Sequence, residues 1–452
     1  MLAFRLMSPS PSATDEPSPD SFGDKPVVTR RDWISLWSVL LVQAQNAFND
    51  NFVKITLIGL ALIVAQGSSV GDDIERILSA LIPIPFILLA PIAGYFSDRF
   101  SKRQVIFLSV VAQLAIFVFI GISVTMRSIP LAVFGFFLLA VQSTFFSPAK
   151  QGILKELVGS DRLGFANGFM QMLTMVGILA GMWLGGLWFD HLLHGYNLEN
   201  GVSADNAWRA ALLPIIVIGA GTLIPLILVR FIEPTPSHPS AKFRKSMWVS
   251  HFVELAYLFS HRKIRIVALL IAFYWLVANF LALTVVGFAR GLNTNFEEGG
   301  ITSGSANMMA FIGVGLMIGS LVVSFLSKTK VRIGLIPLGA FGMGIGILGI
   351  GGLTPGSTLW SASFALTGLA SGFYLIPLAA TLQDLPEEQH RGRVLAAANL
   401  LGSLSGIVAI GVSQVLTKSH MSPSAQTLLF ILPLAWAGFY VFRLPKILSR
   451  QA

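Results

Sequence analysis

The sequence predicts an all-α membrane protein with twelve transmembrane helices in two six-helix halves. Three observations carry that expectation. Of the 452 residues, 54% are hydrophobic and only 12% are charged, about half the charge of an ordinary soluble chain. The apolar residues gather into twelve runs, each long enough to cross ~30 Å of hydrocarbon. Between the runs lie short loops whose Lys and Arg content alternates, the pattern that orients a chain in a bilayer.

The first run, Ile34 to Ala65, is followed by Ile77–Phe96, Val105–Val124, Ile129–Phe146, Leu163–Trp188 and Ala210–Val229. After a polar break come Ile266–Phe288, Ala306–Leu326, Ile333–Leu353, Leu359–Leu382, Val394–Leu416 and Ala425–Phe442. With the N-terminus placed inside, the inner segments hold 25 of the 31 Lys and Arg residues. The outer loops hold only Arg76, Arg127, Arg209, Arg290 and Lys418, so both termini are expected to be cytoplasmic. The net charge of +9 is therefore read as topology, and nucleic acid is not an expected partner.

Four divisions follow: a polar cytoplasmic tail over 1–30 expected to be disordered, a six-helix half over 31–230, a cytoplasmic linker over 231–265, and a second half over 266–452. Within the linker, Met247–Arg262 alternates apolar and polar positions beside Lys242, Arg244, Lys245 and Lys263. That pattern suits a helix lying on an anionic leaflet or one packed on the bundle. A weak repeat supports the division: Pro148 and Pro377 each precede a charged turn and an Ala-Asn pair, Ala166-Asn167 and Ala398-Asn399.

Cysteine is absent, which excludes disulfides, thiolate metal sites and Cys nucleophiles. His191 and His194 share a helix face but have no third ligand beside them, so no metal is expected. No phosphate loop or nucleotide motif occurs, no cofactor is expected, and the chain is not read as an enzyme or an ATP-driven pump.

Chemistry concentrates in the first run, at Gln43–Lys54 (QAQNAFNDNFVK). Gln43, Asn46, Asp50, Asn51 and Lys54 fall at membrane depth, where polar groups cost several kcal/mol unless they meet a partner or a wet cavity. Asp50 and Lys54 are four residues apart on one helical face, so they read either as a static bridge or as groups facing a substrate. Lys150 ends the fourth run after Pro148, placed either to snorkel or to contact a phosphate. Tyr274 and Asn279 on the seventh run either face the cavity or pack.

Between the second and third runs stands Gly94-Tyr-Phe-Ser-Asp98-Arg99-Phe-Ser-Lys102-Arg103. It resembles the loop signature of the major facilitator superfamily, with Ser101 in place of the usual second glycine. Asp98 can accept from a helix N-terminus or an arginine across the boundary between halves and so latch one access state. Glycines spaced by four mark close helix packing: Gly177, Gly181 and Gly185 on the fifth run, Gly315 and Gly319 on the eighth, Gly402 and Gly406 on the eleventh. In the superfamily these three helices help to form the boundary between the halves.

At QNAFNDNFVK, FFSPAKQGILKELVGSDRLGFANGFMQ and GFYLIPLAATLQDL the sequence resembles the bacterial lysophospholipid transporter family within that superfamily. The resemblance implies inward movement of lysophospholipids such as lysophosphatidylethanolamine across the bacterial inner membrane for reacylation. It carries substrate binding onto Asp50, Asn51 and Lys150, and implies a monomer among membrane lipids served by a separate acyltransferase or acyl-ACP synthetase. The chain ends at Ala452 after the twelfth run, so the fused acyltransferase and ligase domains of some members are not expected here. Two charges of the family pattern are missing: Asn279 stands near an arginine position and Gln171 near a glutamate position, while Lys54 is extra. The alternatives are a cation-coupled or exchange carrier of a small organic solute, with Asp50 as coupling acid, and a membrane scaffold or sensor that does not transport.

Overall fold

The computed structural model describes residues 28–65, 74, 77–201, 203–235, 237, 251–292 and 300–443. The N-terminal tail up to residue 27, Arg76 and the basic stretch Lys242 to Lys245 lie outside the described residues. Among the described residues, twelve helices are long and apolar enough to cross a membrane. These are α1 (Arg30–Val64), α2 (Ile77–Arg99), α3 (Lys102–Thr125), α4 (Ile129–Val158), α5 (Leu163–Glu199) and α6 (Ala204–Phe231), then α7 (Arg262–Val285), α8 (Met308–Leu326), α9 (Leu335–Gly352), α10 (Thr358–Asp384), α11 (Arg391–Lys418) and α12 (Pro423–Val441).

Several helices outrun the apolar pattern. Helix α1 starts before its first apolar run because Thr29 and Asp32 form a capping box: the Asp32 N–H donates to Thr29 Oγ1 at 3.2 Å and the Thr29 N–H to Asp32 Oδ2 at 2.9 Å. At 1.5 Å per residue its 35 residues reach about 52 Å, well beyond the hydrocarbon, so its ends stand at headgroup level. Helix α5 likewise runs on past Trp188 to Glu199, because helical hydrogen bonding does not need apolar side chains once water can solvate them.

The glycine stripes fasten helices inside each half. A side chain at Gly185 would put its Cβ 3.0 Å from Phe52 O, and Gly177 and Gly181 sit against the carbonyls of Ala44 and Phe48, which seats α5 directly on α1. Gly315 and Gly319 bring α8 onto the Ala365 and Leu369 carbonyls of α10. Gly402 and Gly406 give room to Trp275 and Asn279 of α7. The boundary between the halves does involve α5, α8 and α11, but on their other faces. Gly168 of α5 meets Ser324 and Ser320 of α8, and α11 packs along α2.

Within the linker, His251–Ser260 forms a helix. It packs on the bundle through Leu258, which is fully buried, and through Leu255, which joins Ala90 of α2 and Ala396 and Leu400 of α11. Residues 247–250, the first part of the expected amphipathic stretch, lie outside the described residues.

Candidate functional site

Two polar sites result, one inside the first half and one along the seam. In the first, Asp50 turns towards α4. Its Oδ2 accepts from Ser143 Oγ and from Asn46 Nδ2, both at 3.1 Å. Asn46 is fixed in turn, because its Oδ1 accepts from Gln113 Nε2 of α3 at 3.1 Å and Gln142 Nε2 of α4 at 3.3 Å. Asp50 Oδ1 is buried with no hydrogen-bond partner, and both polar side-chain atoms of neighbouring Asn49 share that condition. A buried carboxylate oxygen left open costs about 1–3 kcal/mol or more, so the arrangement persists only because the surrounding network holds it.

Lys150 stands beside this cluster. Its ammonium donates to Gln43 Oε1 at 2.7 Å and lies 5.2 Å from the Phe146 ring centroid, while Gln43 Nε2 donates to Thr174 Oγ1 of α5 at 3.1 Å. One bond of three leaves donors on the ammonium for a ligand. Lys150 is the cation whose charge reaches Asp50. Of the two readings of Asp50 and Lys54, the static bridge does not form: Lys54 extends to the first turn of α2 and donates to Ser79 Oγ at 3.0 Å. Shared helical face is not enough, since a four-carbon stem can reach a neighbouring helix as easily as its own.

The other predicted site residues are not brought here. Asn51 Nδ2 donates to its own helix at Ala47 O, 2.8 Å. Asn279 Nδ2 donates to Trp275 O at 2.7 Å and sits against Gly406. Tyr274 is buried in the second half, where it stacks on Tyr374 with centroids 6.2 Å apart. Gln113, Gln142, Ser143 and Thr174 belong to the network but were not singled out in the sequence. Each is a polar residue inside an apolar run, the same signal that exposed Asp50.

The seam closes at one end of the bundle. Asp98 is 2% exposed and accepts from the backbone N–H groups of Gly392 at 2.7 Å and Arg393 at 3.1 Å, in the first turn of α11. A helix N-terminus presents unpaired N–H groups and positive potential, which suits a carboxylate. Gly94 permits this approach, since a Cβ there would come within 2.9 Å of Arg393 Cα. Of the basic residues of the motif, Arg99 donates to Tyr95 Oη at 2.5 Å, Arg103 to Arg230 O at 3.3 Å, and Lys102, near Asp98, pairs with Glu156. Glu156 also lies 3.7 Å from Arg391 of the second half.

The Ala-Asn repeat supplies two further crossings. Asn167 of α5 and Gln383 of α10 exchange two hydrogen bonds of 2.8 Å. Asn399 of α11 donates to Ser147 Oγ at 3.1 Å and accepts from Gln151 Nε2 at 3.4 Å, both on α4. Lys155 pairs with Asp384 at 2.6 Å. Ser147 is one helical turn from Ser143, so the α4 face that crosses the seam is also the face holding Asp50.

The linker helix reinforces the same place. Glu254 lies 3.8 Å from Arg393, whose Nε is 3.6 Å from Asp98, and Tyr257 stacks on His390 at 5.1 Å. Burial raises the Glu254 carboxyl above its ordinary range, with Arg393 opposing the shift. Burial, helped by Arg393, lowers His390.

A sequence model of the Major Facilitator Superfamily matches residues 30–410. The chain belongs to this superfamily. Two solved members of the same fold superpose over nearly all of it. The transporter FucP in its outward conformation has a TM-score of 0.71 at 15% identity, covering 93% of this chain and 100% of that one. The human organic anion transporter MFSD10 has a TM-score of 0.71 at 13% identity, covering 91% and 99%. Among curated proteins, "Lysophospholipid transporter LplT" of Yersinia enterocolitica is 26% identical over 409 residues, 89% of this chain and 91% of that protein. The protein of the same name from Yersinia pestis is 26% identical over 410 residues, 89% and 90%. The superfamily member described here is thus a multi-pass membrane transporter rather than an enzyme.

Proposed function

We propose that this transporter moves lysophospholipids, such as lysophosphatidylethanolamine, towards the cytoplasmic leaflet of the bacterial inner membrane. The observation that carries the reading is the divided charge of the first-half site. Asp50 keeps one carboxylate oxygen unpartnered, and the nearby Lys150 ammonium donates to Gln43 rather than to that oxygen. A zwitterionic head group needs that arrangement, with an acceptor for its ammonium and a separate donor for its phosphate. The single acyl chain then lies against the apolar wall of the second half or in lipid. The proteins named lysophospholipid transporter, similar over about nine-tenths of the chain, support the substrate class.

Transport proceeds by alternating access between the two halves, with the positive-inside pattern placing the Asp98 end and both termini in the cytoplasm. On that orientation the seam bonds close the cytoplasmic side, and the site is approached from outside. The domain limits at 230 and 265, monomeric action, and a separate acyltransferase or synthetase that consumes the product belong to the same reading.

The test is binding of labelled lysophosphatidylethanolamine to the purified protein in nanodiscs. Wild type should bind saturably, and Asp50→Asn and Lys150→Gln should each weaken binding by roughly tenfold or more, the loss of one charge-assisted bond. Equal binding by all three proteins contradicts the assignment.

A further inference from the structure

Apart from the Asp50 cluster, the outer surface of the first half carries a groove. At the Asp98 end, α1 and the last turn of α6 enclose a groove of about 390 Å³ lined by Arg30, Trp33, Ile34, Trp37, Leu41 and Phe231. We propose that this groove binds an anionic phospholipid of the surrounding bilayer.

The groove is built rather than incidental. Ser35 Oγ donates to Phe231 O at 3.1 Å and accepts from the Glu233 N–H at 3.0 Å, which pins the end of α6 to α1. Both tryptophans are braced from behind by α5: Trp33 edge-on to Phe165 at 5.5 Å and Trp37 edge-on to Phe169 at 5.1 Å. The lining positions on α1 recur every three or four residues, so they form one stripe. Trp37, Leu41 and Phe231 nonetheless remain 39%, 45% and 56% exposed, as a lipid-facing wall should be.

Charge selects the occupant. Arg30 lines the groove, and Arg31 and Arg230, each next in sequence to a lining residue, are exposed with it. The nearest acid on α1, Asp32, is buried and committed to the Thr29 cap, and Glu233 follows Phe231 on the other wall. The first turn of α1 stands at headgroup level and Leu41, eleven residues on, is about 16 Å deeper. A phosphate at Arg30 with its acyl chain along Ile34, Trp37 and Leu41 fits that span, with the tryptophans at the interface where their amphipathic rings are favoured.

The experiment is tryptophan quenching by brominated lipids in nanodiscs of the full chain. The difference between wild type and Trp37→Phe isolates the groove from the other tryptophans. At equal mole fraction, brominated phosphatidylglycerol should occupy the groove about fivefold more strongly than brominated phosphatidylcholine, the advantage of one arginine near an anionic head group. Arg30→Gln should erase the preference, high salt should reduce it, and Arg443→Gln should leave it unchanged. Equal quenching by the two lipids, or a preference that survives Arg30→Gln, overturns the proposal. So does selective quenching by a brominated lysophospholipid alone, which would make the groove part of the transport path. None of these outcomes depends on whether the protein transports.

Discussion

The two six-helix halves meet along one seam, yet their inner chemistry differs. In the first half, α1, α3, α4 and α5 bring together two neighbouring hydrogen-bonded groups, one around the Asp50 carboxylate and one around the Lys150 ammonium. In the second, the corresponding candidates are neutral and spent on packing: Tyr274 stacks on Tyr374, and Asn279 bonds to its own helix. On the proposed reading, the difference means that the binding site is divided unevenly, the first half holding the head group and the second supplying an apolar wall and a moving partner.

The largest effect should come from breaking the network at its acid. Asp50→Asn removes the charge but keeps the shape, and uptake of a zwitterionic lysolipid should fall ten- to a hundredfold, since a hydrogen bond to a charged group is worth ~1.5–3 kcal/mol. Loss of comparable size from Tyr274→Phe, which we expect to change uptake by less than about twofold because it only trims a packed hydroxyl, would break the comparison between halves.

Next in size is the seam. Asp98→Ala removes a carboxylate that accepts two backbone bonds from α11. It should shift the balance of access states by ~1–3 kcal/mol while leaving head-group affinity intact. The absence of native cysteine makes this measurable by introducing paired cysteines on α2 and α11 and following their crosslinking. An unchanged crosslinking rate would contradict the latch.

A smaller shift in the same direction, about 1 kcal/mol, is expected from Gln383→Ala, which leaves Asn167 of the first half unpartnered. Reading it beside Asp98→Ala shows whether the two crossings act together or add.

The smallest effect concerns pH at the linker helix. Burial holds the His390 pKa below its ordinary value, so the folded seam favours the neutral ring, and that contribution is lost as pH falls below the unfolded value near 6.5. Burial raises the Glu254 carboxyl, so by linkage any proton it takes up favours the folded form and opposes the trend of the histidine. Glu387, His261 and Tyr257 face the same ring. Proteolysis of the linker should therefore quicken modestly between pH 7.5 and 5.5, and His390→Gln should flatten the profile; an unchanged profile in that variant would exclude the histidine.

Much of this was legible in the sequence. The apolar runs anticipated the twelve helices, because a bilayer allows few other ways to satisfy a backbone. Asp50 stood out because a carboxylate at that depth needs a reason. What could not be read was direction. Lys54 shares a face with Asp50 but reaches α2, while Lys150, a hundred residues away in sequence, supplies the charge. The glycine stripes announced close packing but not which neighbour they meet, and the Ala-Asn repeat did not show that Asn167 and Asn399 both cross the seam. Each of these depends on how helices rotate against one another, which no single helix encodes.

The most direct test of the divided-charge site is uptake of labelled lysophosphatidylethanolamine into proteoliposomes, with and without an ion gradient, for wild type, Asp50→Asn and Lys150→Gln. The expected result is uptake above empty vesicles that needs no gradient and is lost in both variants. No uptake above empty vesicles, or gradient-driven uptake of a small solute that Asp50→Asn uncouples, would contradict the account and make Asp50 a coupling acid instead.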